Sequence, residues 1–237
     1  MEINPMDAMT RKTILVVDDE PRLTSLINSY LAQEGFKGVI ARNGEEALEL
    51  AEQTQPDLVI LDIMMPVMDG FEFMQKFRKK YSTPVIILTA KVMEDDQLKG
   101  FELGADDYVT KPFRPRTLMA RIHAVLHRAG HTLPIGANLQ VSDILLDREN
   151  RVVKVRDKFV DLTPSEFDLL TGLMSSPGKV FSRLELLDIV QGVRYIGYER
   201  TIDLHIKNLR AKIEDDPHEP VYIETVYGAG YRFKREG

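Results

Sequence analysis

Val59-Ile60-Leu61-Asp62-Ile63-Met64-Met65-Pro66 decides how this chain folds. The apolar, β-branched run reads as a buried strand over 58–62. It stops on a carboxylate, and Pro66, Asp69 and Gly70 mark the loop that follows. A carboxylate at the tip of a buried strand is costly unless it is solvated, paired or bound to a cation. In open parallel α/β sheets, ligands bind at that tip.

Three other stretches extend the pattern. Ile14-Leu15-Val16-Val17 runs into Asp18-Asp19-Glu20, with Pro21 placed to open a helix. Val85-Ile86-Ile87-Leu88 ends on Thr89 and Ala90, and Val109-Thr110 ends on Lys111 and Pro112. Taken singly, Asp18 and Asp19 read as helix caps, Lys111 as a solvated surface lysine and Thr89 as packing. Taken together, acids, a hydroxyl and one lysine fall at four strand ends. Parallel strands would bring them to one edge. That set suits a hard cation and a phosphoryl group, because Mg²⁺ prefers a few carboxylates plus water and phosphate oxygens.

Residues 13–128 alternate between strand and helix. The predicted strands are 13–17, 39–41, 58–62, 85–89 and 108–110. The predicted helices are 22–34, 44–54, 70–80, 95–103 and 115–128. Five such units imply an α/β, flavodoxin-like, doubly wound (βα)5 domain over 12–128. Residues 129–137 read as a linker. Residues 138–235 read as a second, α+β domain. Segments 139–146 and 152–162 alternate like antiparallel strands, with a turn near 147–150. Thr163-Pro164-Ser165-Glu166 opens a helix, Ser182 caps another reaching Ile189, and 199–214 form a third. Segments 221–226 and 231–233 flank Tyr227-Gly228-Ala229-Gly230 as a terminal hairpin. Three helices and a hairpin describe a winged helix-turn-helix.

The 237 residues suit two domains, and no apolar run approaches the ~18 residues of a membrane span. Residues 1–11 lack the apolar core of a signal peptide. Cysteine is absent, which excludes disulfides and thiolate zinc sites. Together these point to the cytoplasm and away from membranes. The net charge is −6: 16 basic and 20 acidic residues lie in 1–128, and 15 and 17 in 129–237. Neither half is a polycation, so nucleic-acid binding has to rest on a local patch.

The helix 199–214 offers one. Ile202, Ile206, Leu209 and Ile213 recur as a buried stripe. Arg200, Thr201, Lys207, Asn208 and Lys212 are expected on the other side. A solvated amphipathic helix with ordinary lysines is the competing reading. The nearby Arg232, Lys234 and Arg235 on the hairpin favour DNA. Lys207, Arg210 and Lys212 are then expected on phosphates, and Asn208 on a base edge.

Val17-Asp18-Asp19-Glu20, Leu61-Asp62-Ile63-Met64-Met65-Pro66 and Gly104-Ala105-Asp106-Asp107-Tyr108-Val109-Thr110-Lys111-Pro112-Phe113 recur in a known family. So do Leu162-Thr163-Pro164-Ser165-Glu166-Phe167, Arg200-Thr201-Ile202-Asp203-Leu204-His205-Ile206 and Gly228-Ala229-Gly230-Tyr231-Arg232-Phe233. Over 12–235 the chain resembles two-component response regulators of the OmpR/PhoB subfamily. The resemblance implies that Asp62 accepts a phosphoryl group from a sensor histidine kinase. It implies Mg²⁺ held by Asp18, Asp19, Asp62 and the Met64 carbonyl. Lys111 would offset phosphoryl charge, next to a cis bond to Pro112, and Thr89 would donate to the phosphoryl group. Thr89 and Tyr108 would form the switch. Leu98, Phe101 and Met119, beside the ion pair of Asp107 with Arg121, would form the face through which the phosphorylated protein becomes a homodimer. Double-stranded DNA and RNA polymerase are the further partners implied.

Some positions depart from the family. A charged pair of the dimer face falls on Gln97 and Thr117, and another on Glu102 and His123. Gln191, Tyr198, Asn208 and Tyr227 replace residues common in the effector domain, so base preferences cannot be copied from relatives. A competing class, the aspartyl-phosphate enzymes, usually needs a second acid two residues after the nucleophile. Met64 stands there, so a non-enzymatic regulator is expected. The complete set of acids, hydroxyl and lysine argues against a vestigial receiver.

Overall fold

The computed structural model describes residues 11–90, 99–130, 138–191 and 200–235. Its described residues fall into two compact units. One holds 11–90 and 107–126; the other holds 99–106, 127–130, 138–191 and 200–235.

The first unit is a parallel five-stranded sheet in the order β2-β1-β3-β4-β5. The strands are β1 (Thr13–Val17), β2 (Lys37–Ala41), β3 (Leu58–Asp62), β4 (Val85–Ala90) and β5 (Asp107–Lys111). Between them run α1 (Pro21–Gln33), α2 (Gly44–Thr54) and α3 (Gly70–Phe77), and α4 (Pro115–Gly130) follows β5. This is the flavodoxin-like, doubly wound order. β3 is buried along its whole length, as its unbroken apolar run requires of a strand covered on both faces. In α1, Thr24, Ile27 and Leu31 form the buried stripe, at helical spacing. Pro21 opens that helix, and Asn43 and Asp69 cap α2 and α3 by accepting from Glu46 N and Glu72 N.

Several boundaries differ from the sequence expectation: β2 starts at Lys37 rather than 39, β5 spans Asp107–Lys111 rather than 108–110, and α3 ends at Phe77 rather than 80. α4 continues to Gly130, so residues 129 and 130 are helical rather than linker. Residues 131–137 lie outside the described residues. Residues 99–102 are helical, as expected, while 95–98 lie outside the described residues.

The second unit begins with an antiparallel sheet of β6 (Leu139–Val141), β7 (Ile144–Asp147), β8 (Val152–Val155) and β9 (Lys158–Val160). Each of the two strands expected here is in fact a hairpin. The extra turns have left-handed backbone at Ser142 (φ 51°) and at Arg156 and Asp157 (φ 47° and 65°). Two successive positive φ values are what a two-residue hairpin turn needs, and no glycine marks them here. Helices α5 (Pro164–Met174), α6 (Arg183–Gln191) and α7 (Arg200–Ile213) precede the hairpin β10 (Ile223–Val226) and β11 (Gly230–Phe233). Thr163 and Glu166 form a reciprocal capping box at the start of α5. Phe167, Leu170, Leu187, Ile206, Leu209 and Phe233 belong to one buried cluster that joins the helices to the hairpin. This is the expected winged helix.

Candidate functional sites

Strand register assembles the first site. Val17 lies opposite Leu61, which places Asp18 beside Asp62, one step beyond each. Asp62 lies opposite Leu88, and Ala90 opposite Lys111, so Thr89 and Lys111 reach the same edge. β1 stands between β2 and β3, the point where the winding reverses and ligands bind in such sheets.

Asp18, Asp19 and Asp62 each offer a carboxylate oxygen within 4.8 Å of the others. Lys111 Nζ donates to Asp18 Oδ2 at 2.7 Å and to Asp62 Oδ2 at 2.9 Å. Burial raises the Asp62 pKa, against the opposing hydrogen bond and charge of Lys111, and the charge of Asp18 raises it further. Burial works to lower the Lys111 pKa, but its bonds to Asp18 and Asp62 outweigh that and raise it. Three hard oxygen donors around one point fit a divalent cation. Lys111 balances part of the same negative charge.

The loop after β3 is shaped around Asp62. A Cβ on Gly70 would meet the Asp62 carbonyl oxygen at 2.4 Å, so only glycine lets the loop close here. Gly70 N donates to the Ile63 carbonyl at 3.0 Å. Val67 has φ 70° and is 75% exposed, an uncommon backbone for a β-branched residue. The Met64 side chain also points to solvent. Thr89 Oγ1 donates to the Ala90 carbonyl at 2.8 Å, and Tyr108 is buried. The bond from Lys111 to Pro112 is cis.

Residues expected on a dimer face divide. Arg121 Nη1 donates to both carboxylate oxygens of Asp107, at 2.8 Å to Oδ1 and 2.6 Å to Oδ2. Met119 is not on a surface patch: it is buried in the first unit's core. Phe101 is 1% exposed, with its ring edge-on to His205 at 5.5 Å. Leu98 lies outside the described residues. His123 meets Glu34 at 3.1 Å.

In α7 the expected stripe of Ile202, Ile206, Leu209 and Ile213 is buried. Thr201, expected on the solvent side, is instead 2% exposed, and His205 is buried with it. Positions 201, 205 and 208 share a second face, which sequence reading missed because Phe101, the partner on that face, lies far away in sequence. Arg210 is engaged rather than open, donating to the Ile223 carbonyl at 2.6 Å and to Thr225 Oγ1 at 3.0 Å. Lys212 Nζ is likewise 2.6 Å from the buried Glu166 carboxylate. Both were expected on phosphates; their positions facing β10 and α5 give them protein acceptors instead. Glu214 completes the attachment by accepting from Val221, Tyr222 and Ile223 backbone amides. Asp203 accepts from Arg183 Nε and the Tyr231 hydroxyl, both at 2.7 Å, and so ties α6, α7 and β11 together. Arg232 pairs with Glu224 across the hairpin at 2.6 Å. Tyr227, at the hairpin tip, is 94% exposed. Arg200 begins α7.

Comparison with known proteins finds two families along the chain, the first of which includes residues 99–106. Residues 14–123 match the response regulator receiver domain family, and residues 157–233 match the family described as transcriptional regulatory protein, C terminal. The sensory transduction protein RegX3 of Mycolicibacterium smegmatis is 42% identical over 225 residues, which is 94% of this chain and 99% of that protein. The transcriptional regulatory protein BaeR of Escherichia coli O6:H1 is 39% identical over 232 residues, 98% of this chain and 96% of that one. Among solved structures, a RitR mutant superposes with a TM-score of 0.75 at 28% identity, covering 95% of this chain and all of that one. DrrB, a Thermotoga maritima OmpR/PhoB homolog, gives 0.50 at 34% identity with the same coverage. No described helix is long and apolar enough to cross a membrane.

Proposed function

Because this chain belongs to the OmpR/PhoB-type response regulators, phosphorylation-dependent regulators of transcription, we propose that Asp62 is its phosphoacceptor. The observation that carries this is Lys111 Nζ bridging Asp62 and Asp18 at 2.9 and 2.7 Å. The ammonium already stands where negative charge on an incoming phosphoryl group would collect.

Phosphoryl transfer asks the protein mainly for position and charge neutralisation. An Asp62 oxygen attacks phosphorus, the bond from phosphorus to the kinase imidazole breaks, and an acyl phosphate remains. Asp18, Asp19, Asp62 and the Met64 carbonyl would hold Mg²⁺, which would supply further charge neutralisation. Lys111 exchanges its carboxylate contact for a phosphoryl oxygen. Thr89 turns from the Ala90 carbonyl to donate to another, and Tyr108 answers that movement from the adjacent strand.

In the same reading the phosphorylated protein forms a homodimer through the face that holds Leu98, Phe101, Asp107 and Arg121, with the buried Met119 supporting that face from the core rather than contacting the second copy. Arg200, Lys207 and Asn208 of α7 meet DNA in a major groove, and the β10–β11 wing flanks it, near Arg232. The partners are a sensor histidine kinase, DNA and RNA polymerase, in the cytoplasm. Acetyl phosphate with Mg²⁺ should label the wild-type chain, and Asp62→Asn should abolish the labelling. Equal labelling of the variant would overturn the assignment.

A further inference from the structure

Sulfur chemistry in this chain belongs to methionine, because cysteine is absent. Among the described residues, Met65, Met68, Met74, Met119 and Met174 are at most 9% exposed. Met64 is 72% exposed, and it follows Asp62 by two residues. Two peptide steps keep its Cα within about 7.6 Å of the Asp62 Cα. The main chain here is pinned to the site. The Ile63 and Met64 amides both donate to the Asp62 carboxylate, the first at 2.8 Å. The far end of the loop is held as well: Gly44 N donates to the carbonyl of the buried Met68 at 3.1 Å. The backbone is thus fixed, while the Met64 thioether and the Val67 side chain stand exposed as an apolar rim on the loop that follows Asp62.

An exposed thioether is open to a hydroperoxide, and the buried ones are shielded from it. Sulfur attacks the peroxide oxygen, the S–O bond forms as the O–O bond breaks, and the departing hydroxide takes the proton of the transferred oxygen and leaves as water. Sulfur is oxidised and the peroxide reduced. The apolar side chain becomes a polar sulfoxide, which sulfoxide reductases can reverse. We propose that Met64 is a peroxide-modified site, whose oxidation shortens the life of the phosphoryl group on Asp62. This rests on the reading of Asp62 as the phosphoacceptor. The sulfoxide oxygen accepts hydrogen bonds and holds water where the thioether rim had kept it away. In the hydrolysis that follows, a water oxygen attacks phosphorus and the bond from phosphorus to the Asp62 oxygen breaks. Asp62 returns as a carboxylate, and phosphate carries off both protons of the water.

The full chain, treated with hydrogen peroxide, should show Met64 oxidised about tenfold faster than Met68, Met74 or Met119 in fragment-ion mass spectrometry. After labelling with acetyl phosphate and Mg²⁺ and removal of the donor, the oxidised chain should lose its label about threefold faster than the untreated one. Sulfoxide reductase treatment before labelling should restore the slower loss. The rate of loss from Met64→Leu should not respond to peroxide. Met64 oxidised no faster than the buried methionines, equal loss from treated and untreated chains, or a peroxide response that persists in Met64→Leu would each overturn the proposal alone. An untreated chain that takes no label, or an Asp62→Asn chain that takes it, would overturn the reading of Asp62 and the proposal with it.

Discussion

His205 and Asp168 push the stability of the second unit in opposite directions as pH falls. Burial, above all, pushes the His205 pKa down to about 4; the charge of Arg128 adds to this, and that of Asp106 opposes it. A depressed pKa contributes stability that is complete above the unfolded value of 6.5 and is lost as pH falls to 4. Burial pushes Asp168 up to about 6, against the opposing charge and hydrogen bond of Arg151. A raised pKa has the reverse sign: its contribution is complete below 3.8 and is lost as pH rises through 6. Each is on the order of 3 kcal/mol, so over pH 4–6.5 they largely cancel. His205→Leu should leave Asp168 unopposed. Urea unfolding at pH 4 and 7 should then show the variant gaining about 3 kcal/mol relative to wild type on acidification. An unchanged pH profile would refute this.

Val67 stands at a second informative position. Its φ of 70° is costly for a β-branched residue, and Asn tolerates that backbone better. Val67→Asn should raise the unfolding free energy by about 1 kcal/mol, measured by urea denaturation. At this scale Asp18, Asp62, Thr89 and Lys111 were legible because each ends an apolar run, and register does the rest. His205 was not, because a lone histidine on an amphipathic helix gives no sign of which distant residue will cover it.

Among the elements, α7 separates basic residues that hold the fold from one that faces outward. Arg210 satisfies the Ile223 carbonyl, whereas Lys207 contacts only an exposed carboxylate. Arg210→Ala should lower stability by about 1–3 kcal/mol by leaving that buried acceptor unpaired. Lys207→Ala should change stability by less than about 0.5 kcal/mol. It should instead flatten the salt dependence of DNA binding by about one unit of slope. Thermal unfolding and duplex titrations at several salt concentrations distinguish the two; the reverse pattern would exchange their roles. Basic charge alone could not make this distinction in the sequence, since all three cations looked alike. The sheet of the second unit was half legible for a related reason. Its alternation was plain, but turns built on Ser142, Arg156 and Asp157 carry none of the glycine that usually announces them.

For the whole molecule, a symmetric dimer would repeat each contact of the Asp107 and Arg121 region twice. Arg121→Glu puts like charges where the structure has a 2.6 Å ion pair. It should lower the dimer fraction of the phosphorylated protein in sedimentation, and an unaltered fraction would move the interface elsewhere. Two DNA-binding units so joined should select repeated half-sites about 10–11 base pairs apart. Two domains were legible from the change of periodicity near residue 130. That residues 99–106 would pack with the later half of the chain was not, since local pattern carries no record of tertiary partners.

The edges of the two larger sheets bear on how the protein behaves when crowded or newly made. An open strand edge is a template for another chain, and long apolar edges seed fibres. β5 is five residues long and gives way to Pro112, which has no amide proton to donate, and β2 begins on the exposed Lys37. In the antiparallel sheet, β9 exposes Phe159, yet the Lys154 ammonium sits 4.6 Å over that ring and Lys158 adjoins it. Charge thus guards this exposed aromatic strand. Removing Lys154 would expose a bare aromatic edge, and self-association there would proceed without any unfolding of the core.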